Sequence, residues 1–419
     1  MAIGLLLALH AAGAGFQGDP LAVVRDAAPG DRLFDVAGRR GPVIGVTLLV
    51  WLAGFAIAMA VERLSTRSGV PFGPLRSERH TGRVAARLLA LSLVYLPLLC
   101  LAGAALEPSV AAEPLLVMLG APALAALTLT AFGGRRTGAE RRPSGGYRAL
   151  AFACAATVLA CAIDLIAGSP LTQLSLAGPN PAGGHRFYGV GNELEAALVV
   201  MVLAGTGAAL ATLTVSGHGQ SPTRRWGPAA FLVVASVFTF VFAYGRYGAD
   251  VGAAISLPLG AAVAAALLAG RPRLAWAALL LPIPALALLA AADLLTGAGA
   301  HLTSSVLDAD SGGDALAVLG DRLREAGESF GRPLLLVGLP VVLAAAATAW
   351  LRRDRLADWL RDVPAMRAGL LGALAATLVG TLANDSGALL LEIGAAYLLV
   401  FIAFAWAESE RPDRGRPIL

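Results

Sequence analysis

The sequence predicts an all-α polytopic integral membrane protein, and three observations carry that prediction. Apolar runs long enough to cross a bilayer recur along the chain, and Arg-rich stretches separate them. Hydrophobic residues make up 57% of the 419 residues, while Asp and Glu together number 28. A crossing needs about 20 apolar residues at about 1.5 Å rise each. Eleven such runs stand at 42–61, 85–106, 114–132, 149–168, 190–215, 227–245, 249–270, 274–293, 333–351, 368–385 and 387–407. Each is expected to be helical, because a helix satisfies its own backbone hydrogen bonds in lipid.

The first 15 residues, MAIGLLLALHAAGAG, are apolar but short for a crossing. They resemble the apolar core of a signal peptide, although no basic segment precedes it. A retained anchor would bring the spans to twelve, and a third reading places residue 1 inside a longer parent protein. Residues 1–41 are therefore read as a signal-like or anchor segment plus a short extracytoplasmic stretch. Residues 42–407 form the membrane domain and 408–419 a cytoplasmic tail.

Orientation follows from arginine, since all 32 basic residues are Arg. The loops 62–84, 133–148, 216–226, 271–273 and 352–367 and the tail 408–419 hold 22 of them. The opposite set, with 16–41 included, holds 9, and Arg87 falls inside a predicted span. By the positive-inside rule the first set is cytoplasmic. The loops near 107–113, 169–189, 246–250, 294–332 and 384–386 are then extracytoplasmic. Exclusive use of Arg also points to a GC-rich genome.

The pI of 9.3 and net charge of +4 arise from these loops, so no nucleic-acid partner is expected. Cys100, Cys154 and Cys161 fall inside spans without metal spacing and are read as packing residues. The chain carries no Walker loop, no HExxH and no dinucleotide fingerprint, which argues against ATP-driven transport by this chain alone. Pro282, Pro284 and Pro340 lie within spans and are expected to kink them. Small residues in GAAVAAALLAG (260–270) suit close helix contact in lipid.

Three polar motifs lie on the extracytoplasmic side. The first is His185-Arg186-Phe187-Tyr188-Gly189-Val190-Gly191-Asn192-Glu193, followed by Glu195. Asn192 can cap the following helix. Gly189 and Gly191 permit close backbone approach. A carboxylate inside a span is costly, so Glu193 and Glu195 are functional candidates. The plainer reading pairs Arg186 with one of them.

The second motif is Tyr244-Gly245-Arg246-Tyr247-Gly248-Ala249-Asp250, either a tight turn or a break between half-helices. Its tyrosines suit an interfacial anchor. Asp250 reads as an N-cap under both views.

The third is Ala383-Asn384-Asp385-Ser386-Gly387, with Glu392 beyond it. A helix start needs one capping residue rather than three in a row. Asp385 and Glu392 share a helix face about 10 Å apart in depth.

Each motif opens a helix running inward from the same side. Three N-termini with partial positive charge then face outward and favour anions. Arg186, Arg246 and His185 add positive charge there. Glu193, Glu195, Asp250, Asp385 and Glu392 add negative charge, and Asp164 is placed to join them. This mixture suits phosphate recognition combined with acid–base work, or with a divalent metal held by carboxylates. The sequence names no cofactor. Residues 313–328 read as an amphipathic surface helix, with Leu316, Leu319 and Leu323 on one face.

HRFYGVGNELEA, GRYGADVGAA and ANDSGALL resemble a bacterial family of uncharacterised multi-pass membrane proteins. In its larger members a similar membrane module follows an alkaline-phosphatase-like ectodomain. The resemblance covers about residues 160–405 through these short motifs. About 25 residues separate the apolar N-terminal segment from the first long span, so that ectodomain's activity is not carried over. The resemblance implies a shared outer site without naming its substrate.

The expected function is that of a cell-envelope enzyme of the bacterial plasma membrane. It would act at the outer face on a lipid-linked phosphate, such as a polyprenyl-phosphate glycan, among membrane lipids as partners. His185, Arg186, Tyr188, Asn192, Arg246, Asp250 and Asn384 are assigned to substrate binding. Glu193, Asp385 and Glu392 are assigned to catalysis, or to holding a metal. Two competing readings are a secondary transporter or lipid flippase using Glu195 and Glu392, and a structural membrane subunit. Discontinuous helices would also suit a transporter, but the cytoplasmic half lacks a matching polar set.

Overall fold

A computed structural model describes residues 30–68, 81–107, 109–132, 144–179, 189–213, 220–296, 324, 327–330, 335–384 and 386–409. The fold is an all-α polytopic membrane bundle, with no strand among the described residues. Its helices are α1 (Gly30–Ser68), α2 (Thr81–Leu106), α3 (Ala112–Phe132), α4 (Ser144–Ile166), α5 (Asn192–Leu213), α6 (Gln220–Ala243) and α7 (Val251–Leu268). They continue as α8 (Leu274–Ala277), α9 (Pro282–Thr296), α10 (Leu335–Leu351), α11 (Arg353–Trp359), α12 (Pro364–Ala383) and α13 (Gly387–Glu408). Among the described residues, 9 helices are long and apolar enough to cross a membrane.

Two of the predicted runs form shorter helices. The run 274–293 breaks into α8, a 3-10 turn over Ala278–Leu280, and the 15-residue α9. Pro282 and Pro284 explain the break. Neither can donate a helical hydrogen bond, and Pro282 stands at a helix start, where the missing N–H costs nothing. The run 333–351 gives the 17-residue α10, with Pro340 inside it. In the other direction, α1 begins twelve positions before the predicted run at 42. Its extension is anchored by side chains: Arg39 pairs with Glu113, and Arg40 Nη2 donates to the Pro179 carbonyl at 3.0 Å.

Helix α5 lies at the centre, with α2, α7 and α12 also deeply buried. Helices α1 and α3 are peripheral and turn Leu49, Ile57, Leu119 and Leu127 outward, as a lipid-facing surface requires. Lipid supplies no hydrophobic drive between helices, so contact depends on close backbone approach. Glycine provides it here. A Cβ at Gly372 of α12 would collide with the Gly260 carbonyl of α7, and one at Gly369 would come within 2.6 Å of the Leu203 carbonyl of α5.

The Arg-rich end is closed between α2 and α13. Arg87 Nε meets Glu408 Oε1 at 2.5 Å, and its Nη2 donates to the Ala407 carbonyl at 2.9 Å. Arg83 Nη1 donates to the Ser409 carbonyl at 2.6 Å and lies over the Trp406 ring. Both arginines thus meet the negative end of the α13 dipole. The charge at position 87 sits inside an apolar run because Glu408 reaches the same depth.

Candidate functional site

At the opposite end the three polar motifs meet. Asn192, the first residue of α5, donates from Nδ2 to Ser386 Oγ at 2.9 Å. Its Oδ1 accepts from Asn384 Nδ2 at 3.3 Å, and Asn384 Oδ1 accepts from the Ser386 N–H at 3.2 Å. This joins the first and third motifs. The second enters through backbone: the Val190 N–H donates to the Gly248 carbonyl at 3.0 Å. Gly189 beside it has φ +84, and a Cβ there would collide with the same carbonyl, so only glycine allows the approach. A Cβ at Gly252, next to Asp250, would lie 2.9 Å from Asn384 Nδ2. The N-terminal ends of α5, α7 and α13 therefore share one small region.

The capping residues divide by role. Asp250 is buried and caps α7, its Oδ1 accepting from the Gly252 N–H at 2.8 Å. Ser386 makes no side-chain capping bond to α13. Helix α13 is capped from elsewhere, since the Ala388 N–H donates to Ser329 Oγ at 3.0 Å. The polar side chains that seemed redundant as caps are the ones that join the motifs. The 244–250 segment is a tight turn rather than a break within one helix. The Asp250 N–H returns to the Phe242 carbonyl at 3.0 Å, and Phe240 stacks on Tyr244 at 5.0 Å, which fits an interfacial anchor. Arg246 is exposed on that turn.

One turn below the junction, Glu195 is almost fully buried. Its Oε1 accepts from Ser256 Oγ at 2.9 Å, and its Oε2 has no hydrogen-bond partner. A small crevice opens beside it, lined by Glu195, Ser256, Thr377, Gly380, Leu390 and small apolar residues. Glu193 is half-buried at the same end, within electrostatic reach of Arg40.

Other candidates lie apart from this junction. Glu392 is half-buried, with its carboxyl against Gly338 of α10 and Oε1 lacking a hydrogen-bond partner. Asp164 does not join the site. Its Oδ1 accepts from the Leu171 N–H at 3.0 Å, and its Oδ2 accepts from the Thr172 N–H at 2.8 Å and the Thr172 hydroxyl at 2.6 Å, so it holds the loop after α4. Cys100, Cys154 and Cys161 are free and buried. His185, Arg186, Tyr188 and Asp385 lie outside the described residues, as does most of the amphipathic stretch 313–328.

Arg40 is the residue that sequence reasoning missed. It counted only toward the charge balance, yet its Nε and Nη1 are buried at the motif end without hydrogen-bond partners. A guanidinium with unpartnered donors near the start of α5 can receive an anion. Ser329 was missed as well, because nothing local marks it as a cap for a helix 59 positions later. Among the described residues no group of three or more His, Cys, Asp or Glu gathers to hold a metal ion. Compared with models of protein families, with curated proteins and with solved structures, the chain matches none.

Proposed function

We propose that the chain is an enzyme of the bacterial cell envelope, a glycosyl or phosphoryl group transferase acting at the extracytoplasmic face. Its substrate would be a lipid-linked phosphate or polyprenyl-phosphate glycan. The observation that carries this reading is the junction of Asn192, Asn384 and Ser386, which ties the start of α5 to that of α13 with the start of α7 beside them. Such a junction would turn helix dipoles toward a headgroup phosphate. Outward chemistry has no ATP, so group transfer there draws on an activated lipid carrier. Arg40 and Arg246 would bind phosphate, together with Arg186 and His185. Tyr188 would contact the headgroup, and Asp250 would hold the start of α7 in place. Glu193 or Asp385 would serve as general base or as ligand to a divalent metal, with Glu392 deeper in the same leaflet. The C-terminus would then be cytoplasmic.

The test is to compare lipid-linked intermediates in a deletion strain complemented with the wild-type chain or with Asn192→Ala. Accumulation of one lipid-phosphate species in the deletion and in Asn192→Ala, cleared by wild type, is the expected result. Identical lipid profiles in all three strains would remove this reading.

A further inference from the structure

The Glu195 crevice is separate from the polar junction above it, and its chemistry differs. The polar side chains lining it are Glu195, Ser256 and Thr377. Ser256 donates its hydroxyl proton to Glu195 Oε1 at 2.9 Å, and Thr377 donates its own to the Ala373 carbonyl at 2.9 Å. Both hydroxyl protons are therefore committed, and what remains is lone pairs. Glu195 Oε2 adds an acceptor without a partner on a residue 1% exposed. With Glu195 ionised, the crevice thus presents side-chain acceptors and no side-chain donor. Its remaining walls are Ala196, Val199, Ala376, Gly380 and Leu390, which offer no competing polar side chain.

A buried set of oxygen acceptors is satisfied by a cation. One carboxylate supplies one negative charge, and two neutral hydroxyl oxygens complete a small hard-ligand set. Asp250, buried nearby, adds negative potential to the Glu195 position. We propose that this crevice is an intramembrane binding site for one alkali-metal cation, held by Glu195 Oε2, Ser256 Oγ and Thr377 Oγ1. The site stands between α5, α7, α12 and α13, so an ion there would bind the four helices to one another. The proposal does not rest on the lipid-phosphate reading.

The test uses the purified full chain in detergent micelles, with NaCl or KCl replacing choline chloride at constant ionic strength. Thermal unfolding is followed by tryptophan fluorescence. Wild type should show a saturable rise in unfolding temperature with at least one alkali cation, and Glu195→Gln should abolish it. Thr377→Val keeps side-chain volume and removes one oxygen, so the half-saturating ion concentration should rise about tenfold. It also decides the matter if Glu195→Gln does not fold, and an unchanged half-saturation there overturns the site. No difference between alkali chlorides and choline chloride in wild type overturns it, and so does a saturable response that survives in Glu195→Gln.

Discussion

Asn192 and Ser386 stand 194 positions apart in sequence and are joined by a side-chain hydrogen bond of 2.9 Å. That bond ties the start of α5 to the start of α13. The Ser386 side chain is not explained by capping, because it makes no side-chain cap to its own helix.

The bond should be measurable as a coupling. Asn192→Ala leaves the Asn384 and Ser386 side chains short of a partner and should cost about 1–3 kcal/mol of stability. The double change Asn192→Ala with Ser386→Ala should cost less than the sum of the singles, by about 0.5–1.5 kcal/mol. Equilibrium unfolding in mixed micelles gives all three values. Strict additivity would mean that the two residues act independently.

Topology is open to a labelling test. A single Cys at Gly184 or Gly312 should react with a membrane-impermeant thiol reagent on intact cells, and one at Gly138 should not. Cys100, Cys154 and Cys161 are buried in the bundle, so the background should be low. Labelling at Gly138 alone would invert the orientation drawn from arginine.

Asp385→Asn should abolish complementation of a deletion strain while membrane abundance stays normal. Asparagine keeps a capping hydrogen bond and removes only the charge. Asp314→Asn, in a stretch the sequence predicts to be a solvated outer segment, should leave growth unchanged, since isolated surface changes stay within about 0.5 kcal/mol. Both positions lie outside the described residues, so the contrast rests on their sequence setting. Full complementation by Asp385→Asn at normal abundance would make that carboxylate structural.

The glycine crossing predicts a position-specific cost. Gly372→Ala pushes a methyl group into the Gly260 carbonyl and should destabilise by about 1–3 kcal/mol. Gly54→Ala meets no atom within 4 Å and should be neutral or stabilising by up to about 1 kcal/mol. Equal effects in thermal unfolding would show that α7 and α12 do not touch through these glycines.

Helices were legible because apolar length is written directly in composition, and Asp250 was legible as a cap because capping is local. The excess of polar residues around Asn384 was legible as a signal, but its partner Asn192 was not, since the pairing spans 192 positions. Arg40 shows a different limit. An arginine in a flanking segment reads as one unit of charge until the fold brings it to the Pro179 carbonyl. Ser256 left a fainter trace, a lone hydroxyl in the apolar run VGAAISLPLG, and only its 2.9 Å bond to Glu195 gives it meaning. The break at 281 was half legible: proline marked the place, while the run's length argued for a continuous crossing.

The clasp between α2 and α13 has a consequence for how the molecule is made. Arg87 belongs to an early helix, and the Ala407 carbonyl it binds follows 320 positions later. During synthesis from the N-terminus, α2 is therefore inserted while its counter-charge does not yet exist. Until α13 arrives, Arg87 must be solvated by water or lipid headgroups at the membrane surface, holding the end of α2 there. Arrival of Glu408 supplies the counter-charge and joins α2 to α13. The ion pair thus works as a latch that can engage only once α13 has been made.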